Sequence, residues 1–423
     1  MGRTEPPATG PTGTEPTEPT ATAPPERDLS GLAALIGAAE AARFLEGAFG
    51  KEAFRTRLAP GWAAELFGWP QLNAALAEHR LTPPRLRLER QGRDVTRGAF
   101  RSRRTRRGAQ LLDLDPQVLA ERLRDGATLI VDAVDEISRP LQWLCAGLSA
   151  EFAASCQANL YACWGETQGF DVHWDDHEVF VVQVDGRKTW ALYGVTERWP
   201  TRRGAGCEAP APDAPAERIV LQPGDVLYLP RGYWHAAVGL GGPTLHLTIG
   251  LTRKTGADFL HWLAEELLAE PLARADLPFE AGERALGAHV GELLAAAARR
   301  DPQALARRYR RHVESHLVQR PQLSFPYIAA DDETLPPGAC IRLADGAARL
   351  EHGDAGLLLS WRGVEFTLSP ALEAPLRRLL AGERTTCADF LAAAEGAGPE
   401  AVQAFLRAMA RRGAFVLAPG DAP

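Results

Sequence analysis

The sequence predicts a mainly β core, a sandwich or barrel at residues 29–255, followed by a helical block at 256–335 and a small α/β module at 336–423. Three observations predict it. Between Gln157 and Leu251, short apolar runs alternate with turn residues: NLYACW, EVFVVQV, KTWALYG, DVLYLP and TLHLTIGL. After Thr252 the apolar residues take helical spacing, as at Phe259, Leu260, Leu263, Leu267 and Leu268. From about Pro336 come short strands (CIRLA, ARLEHG, GLLLSWRGVEFTL), then helices with clear punctuation. Ser369-Pro370 and Gly398-Pro399 are starts, and Gly382 and Gly413 are stops.

The elements follow in order. Residues 1–28 are Pro, Thr, Ala and Glu with almost no large apolar side chain, too little to offset ordering entropy, so they predict a disordered tail. LAALIGAAEAARFLEGAF has helical spacing. Arg85 to Leu114 is strand-like and polar and holds the basic run RGAFRSRRTRRG, a solvated loop or a patch that steers RNA or an acidic partner. ATLIVDAVDEI predicts a buried strand and a turn. SRPLQWLCAGLSAEFAA predicts a helix capped by Ser138, with Leu141, Leu144, Leu148 and Phe152 on its apolar face. TRRGAGCEAPAPDAPAE predicts a surface loop. GERALGAHVGELLAAAARR and DPQALARRYRRHVESHL continue the helical block to about Val318. The last unit, helices closed by a small β element ending in AFVL, reads as winged-helix-like.

Composition narrows the class. The chain has 423 residues, a net charge of -7 and 45% hydrophobic residues, ordinary for soluble globular protein and long enough for two or three domains. The mild acidity argues against a dedicated nucleic-acid binder. No apolar run approaches a membrane span, and the N-terminus lacks a signal-peptide layout. Six cysteines form no CxxC pair, which points away from a zinc ribbon or disulfide framework and towards a reducing cytoplasm.

The chemistry concentrates in HWDDHEVFVVQVDGRK, residues 173–188. In a strand, alternate residues share a face, so His173 and Asp175 converge on one ion. The third ligand is expected at His235 in PGDVLYLPRGYWHAA, where Gly224 and Pro230-Arg231-Gly232 make a turn after an apolar strand. Two histidines and one carboxylate form the facial triad of non-haem Fe(II) oxygenases and leave coordination positions open. Asp176 lies on the opposite face, where it orients a neighbour or caps a turn. His177 has the right parity but sits further along, so it is read as a pocket residue beside the ligands.

The pattern at Gly224, Pro230, Gly232 and His235 resembles the second cupin motif, and the block GFDVHWDDHEVFVVQVDGRKTW…GDVLYLPRGYWHAA…LHLTIGL resembles the JmjC-type ribosomal oxygenases. The resemblance is specific over about residues 157–251. It implies a double-stranded β-helix followed by dimerisation helices and a winged helix. It also implies Fe(II) held by His173, Asp175 and His235, and 2-oxoglutarate as co-substrate. Lys188 stands where the family pairs a cation with the far carboxylate of 2-oxoglutarate. Asn159, Tyr161 and Thr248 match positions lining the same pocket, whereas Trp190 and Phe180 read as core aromatics. The chain departs from many relatives in having CWGETQGF where they carry a proline-rich turn, and in His177.

The function expected is hydroxylation of a protein side chain, with ribosomal protein as one candidate, by a cytoplasmic homodimer with no membrane and no direct nucleic-acid partner. Three alternatives stay open at this point. One is an oxygenase tailoring a peptide or small-molecule natural product. Another is a non-catalytic metal-binding cupin acting as a regulator. The last is a zinc or nickel cupin isomerase or a thiol dioxygenase, favoured if His177 ligates in place of Asp175.

Overall fold

The computed structural model describes residues 31–419 except 59–60, 167–168, 202–209, 318–321, 330–333, 345 and 354–355. The expected tail at 1–28 lies outside the described residues, as does part of the expected loop at 201–217. Among the described residues no helix is long and apolar enough to cross a membrane.

The N-terminal part supplies strands β1 (Phe54–Arg57), β2 (Leu86–Arg90), β3 (Arg93–Asp94), β4 (Phe100–Arg104), β5 (Gln110–Leu114), β6 (Thr128–Val131) and β7 (Ser155–Trp164). The core continues with β8 (Glu178–Asp185), β9 (Lys188–Val195), β10 (Glu217–Leu221), β11 (Asp225–Leu229), β12 (Tyr233–Gly239) and β13 (Pro243–Thr252). Among the described residues all but β4 and β5, which pair only with each other, form one large sheet, ordered β1-β11-β8-β13-β7-β6-β2-β3, facing a small sheet, β10-β9-β12. The Arg-rich run is the β4–β5 hairpin, where Arg101 pairs with Asp115 and Arg103 with Asp113.

The period of two along each strand separates two interiors. On β13, Leu245, Leu247, Ile249 and Leu251 enter the core beneath the helices, with Ala158, Leu160 and Ala162 of β7 and Phe180 and Val182 of β8. The helix Arg139–Phe152 closes that core through Leu141, Leu144 and Leu148. Ser138 stands at its N-terminus, but its side chain makes no capping hydrogen bond; its hydroxyl donates to Leu66 O (3.2 Å). Between the sheets, Val179, Val181, Trp190, Leu192, Leu221, Leu227 and Leu229 make a second, smaller core.

Register breaks shape this inner face. His235 lies opposite Leu192 while the preceding Trp234 lies opposite Gly194, so Tyr193 is an extra residue on β9. His246 lies opposite Gln183 while Leu245 lies opposite Asp185, so Val184 is an extra residue on β8. Bulges of this kind re-aim side chains. Gln183 fills the second one by donating from Nε2 to Asp185 O (2.7 Å) and Thr244 Oγ1 (2.8 Å).

The helices Gly256–Leu267, Glu283–Ala298 and Pro302–Ser315 follow. Trp262, Leu263 and Leu305 are buried among them. Leu260 and Leu268, expected on the apolar face, are 62% and 46% exposed. In the last unit the strands Cys340–Leu343, Thr385–Thr386 and Phe415–Ala418 form a sheet under the helices Glu373–Leu380, Cys387–Ala393 and Pro399–Arg411. GLLLSWRGVEFTL is two strands, Gly356–Trp361 and Val364–Leu368, because Arg362 and Gly363 turn the chain at φ +47° and +74°.

Gly186, in the β8–β9 turn, has φ +66°, and a Cβ there would overlap the Pro243 carbonyl oxygen. Gly194 also has positive φ (+92°) but nothing within 4 Å. Gly186→Ala is expected to lower the unfolding free energy by more than about 2 kcal/mol, since overlap adds to the strain of a left-handed residue. Gly194→Ala is expected to cost only about 1 kcal/mol. Denaturant titration of both variants checks the ordering.

Candidate metal centre

His173 and Asp175 lie outside β8, in the segment before it, so strand alternation does not bring them together as the sequence pattern suggests. A single antiparallel bridge does: His173 N donates to His235 O (3.1 Å) and His235 N donates to His173 O (2.8 Å). His235 is the third residue of β12, delivered by the turn that follows the apolar strand β11. Gly232, at φ +84°, donates its N–H to Asp175 O (2.9 Å), so the loop and the turn before β12 are held as one piece.

The two imidazoles are set alike. His173 Nδ1 faces Asp171 O at 2.8 Å and His235 Nδ1 faces Tyr233 O at 2.9 Å. A carbonyl only accepts, so each Nδ1 carries the proton and each Nε2 is left as a lone pair. His235 Nε2 is 3.6 Å from Asp175 Oδ2, and ligand atoms of His173, Asp175 and His235 all lie within 4.8 Å of one another. Burial and the neighbouring His173 push the His235 pKa down to about 4, against the pull of Asp175, so His235 is a neutral donor above that pH. The set suits a divalent ion on two nitrogens and one oxygen with positions left open.

His177 does not join the group. Its Nδ1 is 3.2 Å from Asp176 Oδ1, and its ring lies where a Cβ on Gly250 would come within 2.8 Å. Asp176 thus orients a neighbour, as expected, though not by strand parity, since it too precedes β8. The segment is anchored from behind by Glu178, whose Oε2 accepts from Tyr228 Oη (2.5 Å) and from Arg231 N (3.3 Å). Burial and the adjacent Glu178 push the Tyr228 hydroxyl far up, so it stays a donor.

Beside the triad the inner face is lined by rings. His173, Phe170, Tyr161, His246, Trp190 and His235 form a closed circuit, each ring centroid within 6.0 Å of the next. Lys188 enters it from β9 and is 5% exposed. Among the described residues its polar neighbours are His246 Nδ1 at 3.4 Å and the Cys163 thiol, and neither is a carboxylate. Burial presses its pKa down. Trp190 Nε1 and Gln183 Oε1 are also buried without a partner among the described residues. A buried cation with unused polar atoms around it is the lining expected for an anionic, oxygen-rich ligand.

The other expected pocket residues fall on this face. Asn159 and Tyr161 are neighbours on β7, and Thr248 lies between Asn159 and Val181. The Asn159 Oδ1 is committed to the scaffold, accepting from Ala133 N (2.9 Å) and Gln157 Nε2 (2.7 Å). Burial, with the Asp132 and Asp175 charges, pushes the Tyr161 hydroxyl up. Phe180 is a core residue, as expected. Trp190 is buried in the inner core, as expected, but it also stacks on His235 at 5.7 Å. His246 is a pocket residue that the sequence pattern does not single out. Its only signal is parity, two residues before Thr248 on the same strand face.

Comparison with known proteins agrees with this geometry. Residues 134–259 match the JmjC domain family model. Ribosomal oxygenase 1 of Bos taurus is 37% identical over 144 residues, 32% of this chain and 21% of that protein. The bifunctional lysine-specific demethylase and histidyl-hydroxylase NO66 of Drosophila persimilis is 39% identical over 110 residues, 26% of this chain and 16% of its own. The matched part is therefore well under two thirds of these relatives' length. The X-ray structure of Escherichia coli YcfD superposes with a TM-score of 0.53 at 17% identity, covering 89% of this chain and 98% of YcfD. YcfD, described as a ribosomal oxygenase, has also been solved with cobalt and 2-oxoglutarate (TM-score 0.53, 16% identity, covering 89% of this chain and 97% of YcfD). At that identity the likeness is one of fold. The chain carries a JmjC domain at residues 134–259 and is related over that part to the ribosomal oxygenases.

Proposed function

We propose that this chain is an Fe(II)- and 2-oxoglutarate-dependent hydroxylase of a protein side chain, with ribosomal protein as the candidate substrate and His173, Asp175 and His235 as the metal ligands. The observation that carries the reading is Lys188, a buried cation with no acidic partner among the described residues, on the inner face beside a His-Asp-His set. Bound there, Fe(II) and 2-oxoglutarate together supply the oxidation that inserts one atom of O2 into a substrate C–H bond, with succinate and carbon dioxide released.

The chain's own groups have simpler tasks. His173 and His235 present Nε2 because backbone carbonyls hold Nδ1. Lys188 pairs with the far carboxylate by a charge-assisted hydrogen bond. The six rings exclude water from the co-substrate, while His173 and Asp175, each partly exposed, leave the ion open on the side from which a substrate approaches. His177, beside Gly250 at that mouth, stays outside the ligand set, which argues against the three-histidine reading. The protein substrate is supported by the names of the relatives. A homodimer is supported by the helix Glu283–Ala298, which has no buried residue, and by Phe279 and Leu294 at 70% and 67% exposure.

Anaerobic titration with Fe(II) and then 2-oxoglutarate is expected to give the weak visible charge-transfer band of a chelated keto acid. Asp175→Ala should abolish it, and Lys188→Ala should need at least about tenfold more 2-oxoglutarate, the loss of a hydrogen bond between charged groups. His177→Ala should bind Fe(II) like the wild type. Iron bound without the band would overturn the reading. For the dimer, a solution mass of twice the chain is expected at micromolar concentration, and a monomer there would remove the proposal.

A further inference from the structure

We infer that His246 is a positioning residue for the co-substrate: its Nδ1 lone pair holds the Lys188 ammonium in place to receive the far carboxylate of a dicarboxylic keto acid. The inference rests on the oxygenase reading and goes beyond it, because neither the ligand set nor Lys188 alone requires a histidine here.

Four observations carry it. His246 is 4% exposed, so its ring is part of the pocket wall rather than a mobile surface group. Its Nδ1 stands 3.4 Å from Lys188 Nζ. An ammonium has hydrogens and no lone pair, so Lys188 donates and Nδ1 accepts, which puts the imidazole proton on Nε2. The ring plane is fixed from two sides. Tyr161 stacks on it at 4.9 Å with 10° between the planes, and Trp190 meets it edge-on at 5.7 Å and 86°. Finally, the bulge at Val184 sets His246 directly opposite Gln183 on the inner face. Burial keeps the imidazole neutral, and the nearby Lys188 charge acts in the same direction, so the acceptor is present whenever the lysine is charged.

The consequence concerns orientation. A lysine has a flexible four-carbon stem, and without an acceptor its ammonium has no preferred direction in an apolar pocket. The other group near it is the Cys163 thiol, a weak acceptor. Gly239, opposite Lys188 in register, lies beside the same thiol, and a Cβ there would overlap the Gly165 carbonyl oxygen. His246 is therefore the neutral acceptor that holds the charge in position before the ligand arrives, which lowers the ordering cost of binding.

The test uses full-length protein loaded with Mn(II) under nitrogen and reads binding by calorimetry rather than turnover. Two ligands are compared. 2-Oxoglutarate chelates the metal and reaches Lys188; oxalate chelates the metal and has no far carboxylate. His246→Phe keeps a stacking ring and removes the lone pair; His246→Gln loses the stack and keeps an acceptor. The expected result is a weakening of 2-oxoglutarate binding by about tenfold in His246→Phe, the scale of one hydrogen bond to a charged group. A smaller loss is expected in His246→Gln, with oxalate binding unchanged in both. Equal weakening of both ligands would make His246 a packing residue and overturn the inference, as would unchanged 2-oxoglutarate affinity or a loss in His246→Gln as large as in His246→Phe. Wild-type protein that binds oxalate but not 2-oxoglutarate would sink the oxygenase reading itself, and this inference with it.

Discussion

The site depends on two backbone hydrogen bonds, those exchanged between His173 and His235. They join a segment outside the regular strands to a strand of the small sheet. Everything chemical in the chain follows from where that junction falls. It sets the two imidazoles with their ring centroids 4.4 Å apart and brings Asp175 to the same side. The chain then runs straight into β8, so the ligands sit at the mouth of the inner face rather than deep within it. A bridge of one residue pair is weak alone. It is reinforced by Gly232 N–H on Asp175 O and by Glu178, gripped by Tyr228 and the Arg231 backbone just downstream.

The inner face is a conflict between burial and charge, and the conflict points to a ligand. Taking a lysine out of water without an acid is unfavourable, typically by several kcal/mol before relaxation. Here Lys188 is enclosed by aromatic rings, a neutral histidine and a thiol. Trp190 and Gln183 add one unused donor and one unused acceptor among the described residues. A keto diacid bridging the metal and Lys188 would supply the missing negative charge. The helix-side core has no such tension: its strand residues alternate cleanly, and its buried members are apolar.

Much of this is legible in the sequence because it depends on local pattern. The strands β7, β8, β9, β11 and β13, and the shared face of Asn159 and Tyr161, follow from short apolar runs and a period of two, whereas Thr248 is indicated only by the family resemblance. The ligand trio follows from residue type and the glycine-proline turn. What the sequence conceals is long-range. Strands β10 and β12 escape notice, because the charged start of Glu217–Leu221 and the small residues of Tyr233–Gly239 give little apolar signal. The bulges at Tyr193 and Val184 are properties of pairing, not of either strand alone, and they set which residues stand opposite His235 and His246. His246 shares the parity of Thr248, but its approach to Lys188 is a long-range contact that no local pattern shows. Ser138 shows the converse: a sound capping signal at a helix start where the side chain makes no capping bond and its hydroxyl donates to Leu66 O.

The most direct measurement is a crystal structure of the protein with Mn(II) and 2-oxoglutarate grown without oxygen, with the metal located by its anomalous scattering. The expected result is one metal site on His173 Nε2, Asp175 and His235 Nε2, chelated by the keto acid, with the far carboxylate on Lys188. A metal bound through His177 in place of Asp175, or a keto acid whose far carboxylate lies away from Lys188, would contradict the account.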